Sequence, residues 1–131
     1  AAEAELNDPA FALLARFGLA ERAHVPAALL SYGEKRQLEL AMALATGPRL
    51  LLLDEPLAGT SHVESARVVA TLKELKGSVA ILLVEHDMEA VFALADRVSV
   101  LVYGRVVATG TPAAIRSDPA VRAAYLGEEA A

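Results

Sequence analysis

Hydrophobic positions along this chain switch between a helical and a strand-like period, and the switches divide it into alternating elements. Asp8-Pro9 reads as a helix N-cap with proline at the first helical position, and Phe11, Leu14 and Phe17 give the apolar face of a short helix ending at Gly18. A polar, proline-bearing stretch runs on through Pro26. A second helix leaves from Gly33-Glu34, with Leu38, Met42 and Ala45 recurring at helical spacing as far as Gly47-Pro48. Leu50 to Leu53 is a continuous apolar run with charge at both ends, the pattern of a strand covered on both faces in a parallel sheet. Asp54 and Glu55 then fall at its carboxyl end.

Ser61 and Glu64 have the spacing of a capping box, and Ala66, Val69, Leu72 and Leu75 form the inward stripe of a third helix that Gly77 stops. Val79 to Val84 is another buried strand, delivering Glu85-His86-Asp87 to its end ahead of a helix from Met88 to Leu94. Val98 to Val102 and Arg105 to Ala108 read as a hairpin around Gly104, and Thr111-Pro112 and Asp118-Pro119 each start a short terminal helix. The alternation predicts an α/β fold with a largely parallel sheet, flanking helices and a late β-hairpin.

Composition narrows the function. With 131 residues, 55% of them hydrophobic, the chain can bury one modest core. Its 17 acidic and 12 basic residues give a net charge of -5, which repels a phosphate backbone and argues against nucleic acid as a partner. There is no cysteine, hence no disulfide framework and no thiolate metal site, and a reducing compartment is the expected setting. The longest apolar runs are too short to span a bilayer.

The strongest chemical signal is Asp54-Glu55 after four leucines, since α/β sheets place ligands beyond the carboxyl ends of their strands. Mg²⁺ takes hard oxygen ligands, and a neighbouring carboxylate can deprotonate a water for attack on phosphorus. A strand ending in two solvated acids is the plain alternative. Ser31-Tyr32-Gly33-Glu34 opens a helix, where N–H groups and the dipole favour phosphate and Gly33 permits close backbone approach. Ser31 and Glu34 equally satisfy an ordinary capping box, which needs no ligand. His86 follows a strand at the sheet edge expected for Glu55, where it either donates to a terminal phosphate oxygen or is simply structural. His24 and His62 show no metal-ligand spacing with it.

Taken in order, Leu30-Ser31-Tyr32-Gly33-Glu34, Leu50 to Pro56 and Glu85-His86-Asp87 resemble the signature, Walker B and H-loop motifs of ABC transporter ATP-binding subunits. The text Val84-Glu85-His86-Asp87-Met88, Gly110-Thr111-Pro112 and Ala124-Tyr125-Leu126-Gly127-Glu128 is similar to the branched-chain amino acid importer branch, with its LivG-like members. The resemblance covers nearly the whole chain. It implies the carboxyl-terminal part of a P-loop NTPase fold, with residues 1–45 a remainder of the helical subdomain carrying the signature helix. Residues 46–131 would be the later half of the nucleotide-binding core.

For the site, the resemblance implies that Asp54 holds Mg²⁺ through its water shell, Glu55 is the base for the attacking water, and His86 senses the γ-phosphate of ATP. Ser31, Tyr32, Gly33 and Glu34 would contact ATP held by an opposing ATP-binding subunit, and Ser61 would lie in the D-loop. The implied partners are that second subunit, as a homo- or heterodimer, transmembrane permease subunits and, indirectly, a solute-binding protein, at the cytoplasmic face of the membrane.

The family often has aspartate at the position of Ser61, a second glycine at that of Tyr32, and arginine at that of Gln37, here with Arg36 one step earlier. A larger departure is the P-loop, which needs Gly-Lys-Ser/Thr. None of the 8 glycines is followed by lysine, and the only glutamine, Gln37, lies inside the signature helix rather than in a preceding Q-loop. The resemblance therefore implies half of a subunit, starting within its helical subdomain and inactive alone. Without the strand that leads to the P-loop, an apolar strand edge is expected to drive self-association.

The competing class is a non-catalytic interaction or regulatory module that keeps the signature face. A third reading, a chromosome-maintenance or translation ATPase, is disfavoured by the acidic charge. The transported solute is not written in this sequence.

Overall fold

In the computed structural model, which describes residues 2–126, the chain forms two units that meet between His86 and Asp87. The first contains helix α1 (Ala2–Arg16), two short 3₁₀ turns, helix α2 (Tyr32–Ala45), strand β1 (Leu50–Asp54), helix α3 (His62–Leu75) and strand β2 (Ala80–Val84). β1 and β2 pair in parallel, with Leu52 opposite Leu82 and Asp54 opposite Val84, so their carboxyl ends lie level. Buried residues of this unit include Phe17, Leu40, Leu51, Leu53, Val68 and Leu72.

The second unit contains helix α4 (Met88–Leu94), strands β3 (Val98–Val102) and β4 (Arg105–Gly110), and helices α5 (Pro112–Ser117) and α6 (Pro119–Val121), with a final π turn over Arg122–Leu126. β3 and β4 pair antiparallel, and the register shifts between Val100, opposite Ala108, and Leu101, opposite Val106, leaving Val107 as a bulge. The connecting turn places both Tyr103 (φ 48) and Gly104 (φ 74) in the left-handed region, which matches the twist of a two-residue hairpin. Val98, Val100, Ile115 and Val121 form the core of this unit, with Val91, Phe92 and Ala108 packed on it.

The fold is the expected α/β arrangement of a parallel sheet and a late hairpin, and it departs from expectation in three places. α1 begins at Ala2, with Pro9 inside the helix rather than at its start. Proline removes one N–H and one bond to the carbonyl four residues back. Residues 5–12 are exposed, so water is at hand for that carbonyl, and Phe11 is solvent-facing while Phe17 is fully buried.

The inward faces of two helices are also rotated. α2 buries Gly33, Gln37, Leu40 and Ala41 and leaves Met42 exposed. α3 buries Val68, Thr71, Leu72 and Leu75, while Ala66 is exposed and Val69 half-buried.

The third departure concerns β1, which is covered on one face only. Leu51 and Leu53 are buried, but Leu50 is 54% and Leu52 68% exposed, and on β2 Leu82 is 61% and Val84 55% exposed. The same side of the paired strands thus presents a row of bare aliphatic groups. Gly127 and Glu128, part of the importer-like text, lie outside the described residues.

Candidate active site

Every residue singled out in the sequence as a site candidate lies in the first unit, in two local groups. The first forms at the carboxyl ends of β1 and β2. Asp54 ends β1 and is exposed, opening onto a cleft of about 230 Å³ whose far wall carries Arg36 and Glu39 of α2. Glu55 follows with φ 46, in the left-handed region. For a residue with a Cβ this conformation costs about 1–2 kcal/mol and persists only where the surroundings fix it. Here the Glu55 N–H donates to the Val84 carbonyl at 2.8 Å, extending the strand pairing by one bond.

The Glu55 carboxylate then reaches His86, with Oε1 3.4 Å from Nδ1, and both side chains are at least half exposed. Such a contact is long and solvent-screened, and it brings the two groups together without immobilising either. Where the two lie side by side, open to solvent at a strand end, the carboxylate can accept a proton from water and the imidazole N–H can donate to an anion.

A residue outside the sequence-derived set organises this group. Glu85 is half-buried, and its carboxylate accepts the Leu57 N–H at 2.9 Å and the His86 N–H at 3.2 Å. It ties the turn after Glu55 to the start of the His86 segment. The signal lay in its position directly before His86, but its partner at Leu57 is 28 residues away.

The second group joins the start of α2 to the loop before α3. Ser31 Oγ accepts the Glu34 N–H at 3.2 Å and the Glu34 carboxylate accepts the Ser31 N–H at 2.8 Å, so the capping box is formed. Arg22 also donates to Glu34, at 2.8 Å. The Ser31 N–H first, and the guanidinium of Arg22 after it, hold the Glu34 carboxyl below the usual glutamate range. Ser61 repeats the pattern with Glu64, its hydroxyl accepting at 3.3 Å and its N–H donating at 2.7 Å. Tyr32 lies against Gly59 of the same loop, and Arg36 sits 5.5 Å from the centre of its ring.

Among the described residues, no three His, Asp or Glu side chains gather into a group able to enclose a metal ion. Mg²⁺ retains several waters and takes one or two carboxylates together with phosphate oxygens. The exposed Asp54 fits that mode and would hold the ion through its water shell.

Two family models match the chain, the ABC transporter model over residues 2–58 and that of the branched-chain amino acid ATP-binding cassette transporter over residues 105–131. The chain is 43% identical over 129 residues to the high-affinity branched-chain amino acid transport ATP-binding protein LivG of Escherichia coli K12, covering 97% of this chain and 51% of the relative. It is 41% identical to BraF of Pseudomonas aeruginosa, described in the same terms, covering 96% of this chain and 50% of that protein. A crystal structure of a nucleotide-free ATP-binding cassette from an ABC transporter superposes with a TM-score of 0.79 at 29% identity, covering 95% of this chain and 51% of that one. The ADP conformation of an ATP-binding cassette gives a TM-score of 0.78, again at 29% identity, with the same coverage of 95% and 51%. The chain spans about half the length of the relatives it matches.

Proposed function

Because the chain belongs to the family of ABC transporter ATP-binding proteins, we propose that it carries the hydrolytic half of an importer's ATPase subunit, powering uptake of branched-chain amino acids or similar small solutes. The observation that carries this reading is Glu55, held in a left-handed conformation at the end of a parallel strand with His86 3.4 Å from its carboxylate. Relatives named as branched-chain amino acid transport proteins support the substrate class.

In this reading Glu55 takes a proton from the water that attacks the γ-phosphorus, as the bond from that phosphorus to the bridging oxygen breaks and ADP leaves. His86 donates a hydrogen bond to the γ-phosphate. Glu85 holds the two segments in register. Magnesium, carried with ATP, would be bound at Asp54 and offset charge on the phosphate oxygens. Ser31, Tyr32, Gly33, Glu34 and Ser61 face a nucleotide held by a second ATP-binding subunit. The permease subunits, and through them a solute-binding protein, receive the resulting motion at the cytoplasmic membrane face. Residues 1–45 belong to the helical subdomain and 46–131 to the nucleotide-binding core. Alone the chain is inactive, because no glycine is followed by the lysine that a P-loop requires.

A fusion in which residues 2–126 replace the matching span of LivG is expected to restore leucine uptake to cells lacking LivG, at a rate within about tenfold of the parent. A stable, membrane-recruited fusion that restores none would contradict the proposed function.

A further inference from the structure

The start of α2 and the segment from Gly59 into the first turn of α3 are notched into each other at two glycines. A Cβ at Gly33 would lie 2.3 Å from Oε2 and 2.4 Å from Oε1 of Glu64, and one at Gly59 would lie 2.3 Å from the Tyr32 ring. Each element thus supplies a side chain to a space the other leaves empty. The same Glu64 oxygen that touches Gly33 accepts the Ser61 N–H at 2.7 Å. One carboxylate therefore caps α3 and rests beside the first turn of α2, where the helix dipole favours negative charge.

We propose that Glu64 is a positioning residue that locks the Ser31–Glu34 turn to the Gly59–Ser61 loop, and that its contact by itself disfavours a side chain at position 33. Gly33 follows Tyr32 inside α2, and its φ is not among the positive values. Backbone conformation therefore does not demand glycine there. Alanine is the better helix former, so in open space the substitution would stabilise α2. The carboxylate of Glu64 reverses that sign, because the new methyl group has to displace a side chain already held by Ser61. The role of this lock in turnover rests on the proposed function, in which both locked segments face nucleotide; the lock itself does not.

The test has two arms. Thermal unfolding of the full chain is measured for Gly33→Ala in three backgrounds. With Glu64 present the midpoint is expected to fall by about 5 °C, in Glu64→Gln it should fall similarly because the group is as large, and in Glu64→Ala it should rise by about 1–3 °C. A change of the same sign in all three backgrounds would overturn the lock. A Glu64 that only caps α3 predicts that same-sign result.

In the LivG fusion, Glu64→Ala is expected to lower kcat for ATP about tenfold with KM within about twofold, and Glu64→Gln to restore most of it. Unchanged kcat in Glu64→Ala, beside an observed sign inversion, would overturn the positioning role. A folded parent fusion without any turnover contradicts the proposed function instead, and the sign inversion still decides the lock.

Discussion

Glu55→Gln, placed in an ATPase completed with a P-loop half, is expected to lower turnover by about 10²–10⁴-fold while ATP still binds. The amide occupies the same volume and keeps an oxygen for the His86 contact, which is 3.4 Å long and screened by solvent. It cannot take the proton of the attacking water. In the proposed function, affinity for nucleotide resides in the P-loop half, in Asp54 and in the opposing turn at Ser31, so the substituted protein should accumulate bound ATP rather than release it. Single-turnover assays separate the two effects. A rate within a few-fold of the parent would remove Glu55 from the role of base.

The second large effect concerns the bare side of the β1–β2 pair. Leu50, Leu52, Leu82 and Val84 are all more than half exposed there, on strands whose outer edges pair with no other strand among the described residues. Burying one such side chain contributes about 1.5–3 kcal/mol. Two central leucines, which lie opposite each other in the register, are then enough to set an association constant. The isolated chain is expected to show an apparent mass in light scattering that rises with concentration. Leu52→Lys with Leu82→Lys should weaken that association about 10²-fold or more. A sharp monomer at the highest soluble concentration, for the parent chain, would contradict the expectation.

How much of this was legible in the sequence follows from how local each feature is. The two capping boxes, Ser31 with Glu34 and Ser61 with Glu64, are three-residue relations and appear in the structure as read. The strands ending at Asp54 and Val84 were legible from continuous apolar runs. The phase of the helix faces was not, because α3 carries apolar groups on several sides and only packing selects Val68 and Thr71 over Ala66. Asp8-Pro9 carries a start signal, but an exposed helix can pass through proline where water takes the orphaned carbonyl. The left-handed backbone of Glu55, the reach of Glu85 to Leu57 and the notch of Glu64 on Gly33 are non-local. No spacing rule along the chain encodes them. The continuous leucine run predicted a strand covered on both faces, and the described chain covers one of them.

The central claim is that this chain supplies the base and the strand-end carboxylate of an ATPase but not the phosphate cradle. Phosphate release from Mg-ATP, measured for the chain alone and after a P-loop half from a LivG relative is added, addresses it most directly. The account predicts no release by the chain alone and steady release from the mixture that Glu55→Gln abolishes. Release by the chain alone, or release from the mixture that Glu55→Gln leaves intact, would contradict it.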